Sequence, residues 1–322
     1  MVRTMNDIID VINTNKTFLI TAHKNPDGDA IGSSIGLYLA LKKIKKVVDV
    51  VIKDAPRTFS YLEGFDEIKN ETNKKYDVLI ILDTADEMKV NYIEAFNIVS
   101  ETVLIDHHIS SSRYANYNYV ETLSSCSMVI LKLIHNLNIS LDKSIAEAIY
   151  TGLITDTGCY RNKNVDRNTF DVSSELSKFI DVSKVIKLSV GTISCKAFEL
   201  KKICIENLEF YMSGKIGYSY ISEDDIVKTG ASYDEASSLV NIAREIEGVE
   251  VSIFVRFFKN ETWVSFRSNN VDVNKIAQIF GGGGHIYASG LSVDPSLNRE
   301  KIKNDILIEV EKSINEWNNN CK

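Results

Sequence analysis

Apolar residues fall along this chain in two textures. Short unbroken runs, "TFLITAH" (17–23), "VVDVVI" (47–52), "DVLIILD" (77–83) and "TVLID" (102–106), have the length and β-branched content of buried strands. Between and after them, apolar positions recur every three or four residues. That spacing predicts helices over "AIGSSIGLYLALKK" (30–43), near "EAFNIVS" (94–100), and over "SMVILKLIHNL" (127–137) and "SIAEAIYTGLI" (144–154). Strand–helix alternation of this kind implies an α/β, doubly wound, mostly parallel sheet.

The pattern changes from about residue 186. "KIGYSYIS" (215–222), "VEVSIFVRFF" (249–258) and "ETWVSFRS" (261–268) alternate apolar with polar residues, as half-buried antiparallel strands do. Helical spacing returns at "YDEASSLVNIAREI" (233–246), "VNKIAQIF" (273–280) and "REKIKNDILIEVEKSINEW" (299–317). "CKAFELKKICIENLEFY" (195–211) reads as one connecting helix. The expected organisation is an α/β domain over 1–185, a helical linker over 186–212 and a smaller α+β domain over 213–322.

Composition changes the picture in a few places. With 44% hydrophobic and 25% charged residues the chain reads as an ordinary globular protein. Its net charge of −7 argues against a broad basic face for long duplex nucleic acid, while leaving room for a small phosphorylated substrate at a local positive site. The N-terminal segment lacks a signal-like apolar core, and apolar runs such as "VLIIL" are too short for a membrane span. Cys126, Cys159, Cys195, Cys204 and Cys321 form no C-x-x-C pair, as expected of reduced thiols in a cytoplasmic protein.

Chemistry gathers at the ends of the predicted strands. "FLITAH" ends at His23 and leads into Asp27 and Asp29, "DVLIILD" ends at Asp83, and "TVLIDHH" ends at Asp106, His107 and His108. Asp156, in "GLITDTG", sits where a helix should stop before Gly158. Parallel sheets bring the carboxyl ends of strands to one edge, so these residues should converge. Carboxylates crowded there repel one another unless protonated, solvated or neutralised by cations. Mixed imidazole and carboxylate donors suit a divalent ion such as Mn²⁺ or Mg²⁺. His23, Asp27, Asp29, Asp83, His107 and Asp156 are too many for one catalytic ion and fit two ions sharing a carboxylate, an arrangement that activates water and clamps a phosphoryl group. Asp29 also reads as a helix N-cap, and Gly28 as the residue that lets the chain turn tightly between two aspartates. His135, inside a helical run, reads as structural.

The ordered set "HKNPDGDAIGS", "ILDTAD", "IDHH" and "LITDTG" resembles the DHH phosphoesterase family across the first half. That resemblance implies one metal held by His23, Asp27 and Asp83 and a second held by Asp29, Asp83, His107 and Asp156. It also implies a His108 that contacts the scissile phosphate and an Asp106 that orients a ligand histidine. "FGGGGHIYASG" (280–290) is similar to the glycine-rich motif of the DHH-associated nucleotide-binding domain. Four glycines, Gly281, Gly282, Gly283 and Gly284, could present successive N–H groups to an anion, with His285 and Arg267 supplying hydrogen bonds and charge. Together the halves resemble the nanoRNase branch, which degrades very short single-stranded RNA and dephosphorylates 3′-phosphoadenosine 5′-phosphate. The alternatives are cyclic or linear di-AMP and, further off, pyrophosphate. Manganese is the expected ion, with magnesium and cobalt as alternatives, and a homodimer is implied. Cys126 and Met128 stand where relatives often carry Thr and Glu.

Overall fold

The computed structural model describes residues 4–320, apart from the side chains of Asp234, Ser237, Ser238, His285 and Asn320. Two compact units divide the chain between Thr192 and Ile193, within the stretch 186–212 expected to link the domains. No helix among the described residues is long and apolar enough to cross a membrane.

In the first unit six strands form one sheet: β1 (Thr17–Thr21), β2 (Val47–Val51), β3 (Ile68–Lys69), β4 (Tyr76–Leu82), β5 (Val99–Asp106) and β6 (Tyr117–Val120). Their order is β3-β2-β1-β4-β5-β6 and every pairing is parallel. Strand order reverses between β1 and β4, where Phe18 lies beside Val78, and such reversals open a crevice at the carboxyl edge. The helices are α1 (Met5–Thr14), α2 (Gly28–Lys43), α3 (Cys126–Asn136), α4 (Lys143–Asp156), α5 (Arg167–Leu176) and α6 (Val182–Ser189). Ile80 and Leu82 of β4 face a core built with α1 to α4, while Leu79 and Ile81 face a second core with Val90, Tyr92 and Ala95. Burial on both faces explains why β4 is an unbroken apolar run. The helix expected near 94–100 is only a 3₁₀ turn, Ile93–Asn97, because β5 already begins at Val99.

Helices α2 and α4 touch through small residues. A side chain at Gly32 would meet the Ala148 carbonyl oxygen at 2.4 Å, and one at Gly152 would meet Asp29 Oδ1 at 2.6 Å. That backbone approach sets the start of α2 beside the end of α4, which brings Asp29 and Asp156 into one pocket. Gly28 serves the same packing, since a Cβ there would lie 2.4 Å from Thr155 Oγ1. Close contact is what its position requires, beyond the tight turn anticipated from sequence.

The second unit contains α7 (Cys195–Glu206), β7 (Glu209–Tyr211), β8 (Ile216–Ser222), α8 (Glu223–Thr229), α9 (Tyr233–Ser237), α10 (Asn241–Arg244), β9 (Val251–Phe257), β10 (Thr262–Ser268), α11 (Val273–Ile279), β11 (Gly283–His285), β12 (Ala288–Val293) and α12 (Arg299–Asn320). Its sheet order is β11-β12-β10-β9-β8-β7, antiparallel except for β8 and β9, which run parallel. The expectation of a purely antiparallel set fails there because α8, α9 and α10 form a crossover between those two strands. Residues 195–211 are not one connecting helix. Met212, Ser213 and Gly214 take left-handed φ values of 50°, 54° and 87°, and that turn folds β7 back on β8. Leu200 and Cys204 of α7 are buried with Ile221 and Phe254, so α7 belongs to this unit's core.

Candidate metal centre

Each pocket residue is delivered by a strand or helix end. His23 follows β1 and pairs with Val90 in an isolated antiparallel bridge. Its Nδ1 donates to the Lys24 carbonyl oxygen at 2.8 Å, which turns Nε2 toward Asp83 Oδ2 at 3.5 Å and Asp27 Oδ1 at 3.7 Å. Asp27, not Asp29, caps α2: its Oδ1 accepts from the Asp29 and Ala30 amides at 3.0 and 3.1 Å. Asp29 lies in the first turn and faces the other way. Its two oxygens accept from the Cys126 and Ser127 amides at 2.6 and 2.9 Å, so this buried carboxylate sits on the N-terminus of α3. Cys126 therefore supports the site through its backbone, whatever side chain stands there.

Asp83 ends β4 with a left-handed φ of 52°, a conformation that costs a non-glycine residue of order 1 kcal/mol. Its amide still donates to the Ile105 carbonyl oxygen at 3.1 Å, so strand pairing holds the backbone. The carboxylate is 3% exposed and divided between two histidines. Oδ2 faces His23, and Oδ1 lies 3.3 Å from His107 Nε2. Oδ1 is buried and makes no hydrogen bond.

His107 donates from Nδ1 to the Leu123 carbonyl oxygen at 3.1 Å, and its Nε2 lies 3.9 Å from Asp156 Oδ2 and 4.0 Å from Asp29 Oδ2. His108 is held differently. Its Nδ1 is 2.6 Å from Asp106 Oδ1, and a carboxylate partner places the proton on that nitrogen. Asp106 is fully buried and its Oδ1 also accepts from the His107 and His108 amides at 2.8 and 3.3 Å. The ring that Asp106 orients is thus His108, whereas the ligand candidate His107 is oriented by a carbonyl.

The electrostatics are those of a pocket short of positive charge. Burial and the Asp83 charge push Asp29 up to about 7, and burial with Asp29 raises Asp156 well above the carboxylate range. Burial also works against the Asp83 anion, but His107 and His23 outweigh it and hold Asp83 well below the usual value. Burial disfavours a charged His107 too, yet Asp83 lifts it to about 11. Three sets of donor atoms lie within 4.8 Å of one another: His23, Asp27 and Asp83; Asp29, His107 and Asp156; and Asp83, His107 and His108. The donor set and the orphaned Asp83 oxygen fit divalent cations.

Sequence reasoning missed the groups that support these residues: the Lys24 and Leu123 carbonyls, the α3 amides, and Asn162 and Asn164, whose amide nitrogens donate to the Asp156 carbonyl oxygen and carboxylate at 2.9 and 3.2 Å. Backbone contributions leave no mark on residue type. The two asparagines in "CYRNKNVD" carried a signal only as turn formers.

The remaining candidates lie in the second unit. Arg267, on β10, donates from Nη1 to the Phe266 carbonyl oxygen at 2.9 Å, and burial with nearby Arg244 lowers it to about 10. The glycine-rich stretch is not an open nest. The amides of Gly281, Gly282 and Gly284 donate to Gln278 O, Ala277 O and Asn274 Oδ1 at 3.1, 2.8 and 2.9 Å. Gly283, Gly284 and His285 pair with β12 as an edge strand. The His285 side chain lies outside the described residues.

Residues 17–153 match the model of the DHH family, N-terminal domain, and residues 213–314 match the DHHA1 domain. The chain is 30% identical over 282 residues to the bifunctional oligoribonuclease and PAP phosphatase NrnA of Thermus thermophilus, covering 85% of this chain and 83% of that protein. It is 26% identical over 295 residues to the protein of the same name in Bacillus subtilis, covering 89% and 92%. The crystal structure of an exopolyphosphatase-related protein from Bacteroides fragilis superposes with a TM-score of 0.86 at 25% identity, covering 97% of this chain and 96% of that one.

Proposed function

This chain belongs to the DHH family, and from that premise we propose that it is a metal-dependent phosphoesterase hydrolysing short oligoribonucleotides and 3′-phosphoadenosine 5′-phosphate. The names of the Thermus and Bacillus relatives support the substrate class. The observation that carries the chemistry is the buried Asp83 carboxylate, one oxygen aimed at His23 and the other without a hydrogen bond 3.3 Å from His107 Nε2.

His23, Asp27 and Asp83 would hold one divalent ion, and Asp29, Asp83, His107 and Asp156 the other. When bound, such ions lower the pKa of water and neutralise phosphate charge. The Lys24 and Leu123 carbonyls fix the tautomers of His23 and His107, keeping each Nε2 as the donor atom turned inward. His108 contacts the scissile phosphate, and Asp106 fixes its Nδ1 proton so that Nε2 handles the proton at the leaving oxygen. In the second unit, Arg267 would supply charge to a phosphate or base. Manganese is the ion we assign, magnesium or cobalt being the alternatives.

The test is hydrolysis by the purified protein with Mn²⁺, comparing 3′-phosphoadenosine 5′-phosphate, RNA of two to five nucleotides, cyclic di-AMP and pyrophosphate. Turnover of the first two, abolished by Asp83→Ala, is the expected result. Cleavage of cyclic di-AMP or pyrophosphate alone would replace this reading.

A further inference from the structure

Beyond α4 the chain places an asparagine that the metal set does not use. Asn164 Nδ2 lies 2.8 Å from the Ser124 carbonyl oxygen, 3.2 Å from Asp156 Oδ2 and 3.3 Å from the Asp156 carbonyl oxygen. All three are acceptors, so the end of the amide turned toward them is the NH₂ and not the oxygen. The contact is returned, because Ser124 Oγ donates to the Asn164 carbonyl oxygen at 2.7 Å. Ser124 stands between Leu123, whose carbonyl orients His107, and Ser125, whose side chain caps α3. The first two amides of that helix hold Asp29.

The geometry points to Asn164 as a positioning residue for the second metal. It fixes Asp156 directly, and through residues 123–127 it joins Asp156 to the supports of His107 and Asp29. Asp156 needs such a hold. Its side chain is 27% exposed, and Asp29 and Asp83 both repel it. An NH donor on Oδ2 opposes that repulsion before any cation arrives. The inference rests on the metal centre proposed above.

Calorimetric titration of Mn²⁺ into the chelator-stripped full chain tests it without substrate. The wild type is expected to take two ions. Asn164→Ala is expected to weaken one of them by about 10- to 100-fold and leave the other unchanged, the usual range for losing a group that orients a ligand. Asn164→Asp keeps the size but replaces the donor with a carboxylate facing Asp156, so it is expected to bind that ion more weakly still. If Asn164 only filled space, Asn164→Asp would bind as the wild type does. Should Asn164→Ala not fold, Asn164→Asp and Asn164→Ser carry the comparison. Both ions bound by these variants as tightly as by the wild type would overturn the inference, as would a wild type that takes fewer than two. If one ion is weakened and no form cleaves RNA or 3′-phosphoadenosine 5′-phosphate, the substrate reading fails and the role of Asn164 stands.

Discussion

The metal pocket and the glycine-rich stretch were both marked by their sequences, yet they treat their polar groups in opposite ways. In the pocket, Asp83 Oδ1 is buried without a hydrogen bond, its backbone is left-handed, and four carboxylates crowd two imidazoles. In the glycine-rich stretch, three of four amides already have partners in the chain, and close contacts dictate Gly282 and Gly284. Unsatisfied chemistry marks a place built for something else to enter, whereas satisfied chemistry marks a place built to hold its own shape. The two regions should therefore fail differently when altered.

The largest effect is expected at Asp83. Asp83→Ala should lower Mn²⁺-dependent hydrolysis by about 10³-fold or more, and the chelator-stripped variant should still fold but melt somewhat lower than the wild type at neutral pH, because His23 and His107 lose the buried carboxylate they pair with. A variant that loses activity only by unfolding would erase the contrast. In the other region, Gly282→Val should cost about 2 kcal/mol of second-unit stability and leave Mn²⁺ stoichiometry alone. The reason is steric: a Cβ there would sit 2.4 Å from the Gly290 carbonyl oxygen and 2.5 Å from Leu291 Cβ. Thermal melting beside calorimetry reads both halves of that claim, and a lost metal would break it.

A smaller effect separates the regions by pH. His107 is raised in the folded state, since Asp83 outweighs the burial that would lower it, so its stabilisation is full below 6.5 and lost as pH climbs toward about 11. Asp29 titrates near 7 when folded and 3.8 otherwise, which also weakens the metal-free fold as pH rises between those values. Asp83, held low by its histidines against the effect of burial, acts oppositely and only as pH falls below 3.8. Metal binding needs these ligands deprotonated and so strengthens as pH rises. The chelator-stripped protein should thus melt lower at about pH 9 than at about pH 6, and the rise in Tm on adding Mn²⁺ should grow over the same range. A metal-free Tm that climbed with pH would contradict the charge balance described here. The smallest effect belongs to His135, whose Nε2 lies 2.9 Å from Glu175 Oε1 at the surface. His135→Ala should move stability by no more than about 0.5 kcal/mol and turnover not at all, by melting and the same hydrolysis assay.

How far the fold could be read in advance follows from periodicity. Runs such as 77–83 and 127–137 declared themselves because one partner face, or two, determined every position along them. Residues 94–100 and 195–211 misled because apolar spacing does not say where a turn interrupts it; the 3₁₀ turn at 93–97 and the stop of α7 at Glu206, before β7, decided those ends. The six ligand candidates were legible because chemistry restricts metal donors to a few residue types. Their supports were not, since a carbonyl at Leu123 or an amide at Cys126 comes with any residue. The cap of α2 falls to Asp27 and not to Asp29 for a related reason: either residue type can cap a helix, and residue type alone does not say which one does.

The strand order also sets a schedule. His23, Asp27 and Asp83 lie on either side of the reversal between β1 and β4, so they meet only when segments some sixty residues apart have paired. Asp29, His107 and Asp156 complete their set only after α4 has been made. Made from its N-terminus, the chain therefore has every residue of the first candidate donor set once Asp83 is in place and every residue of the second only once Asp156 has been added.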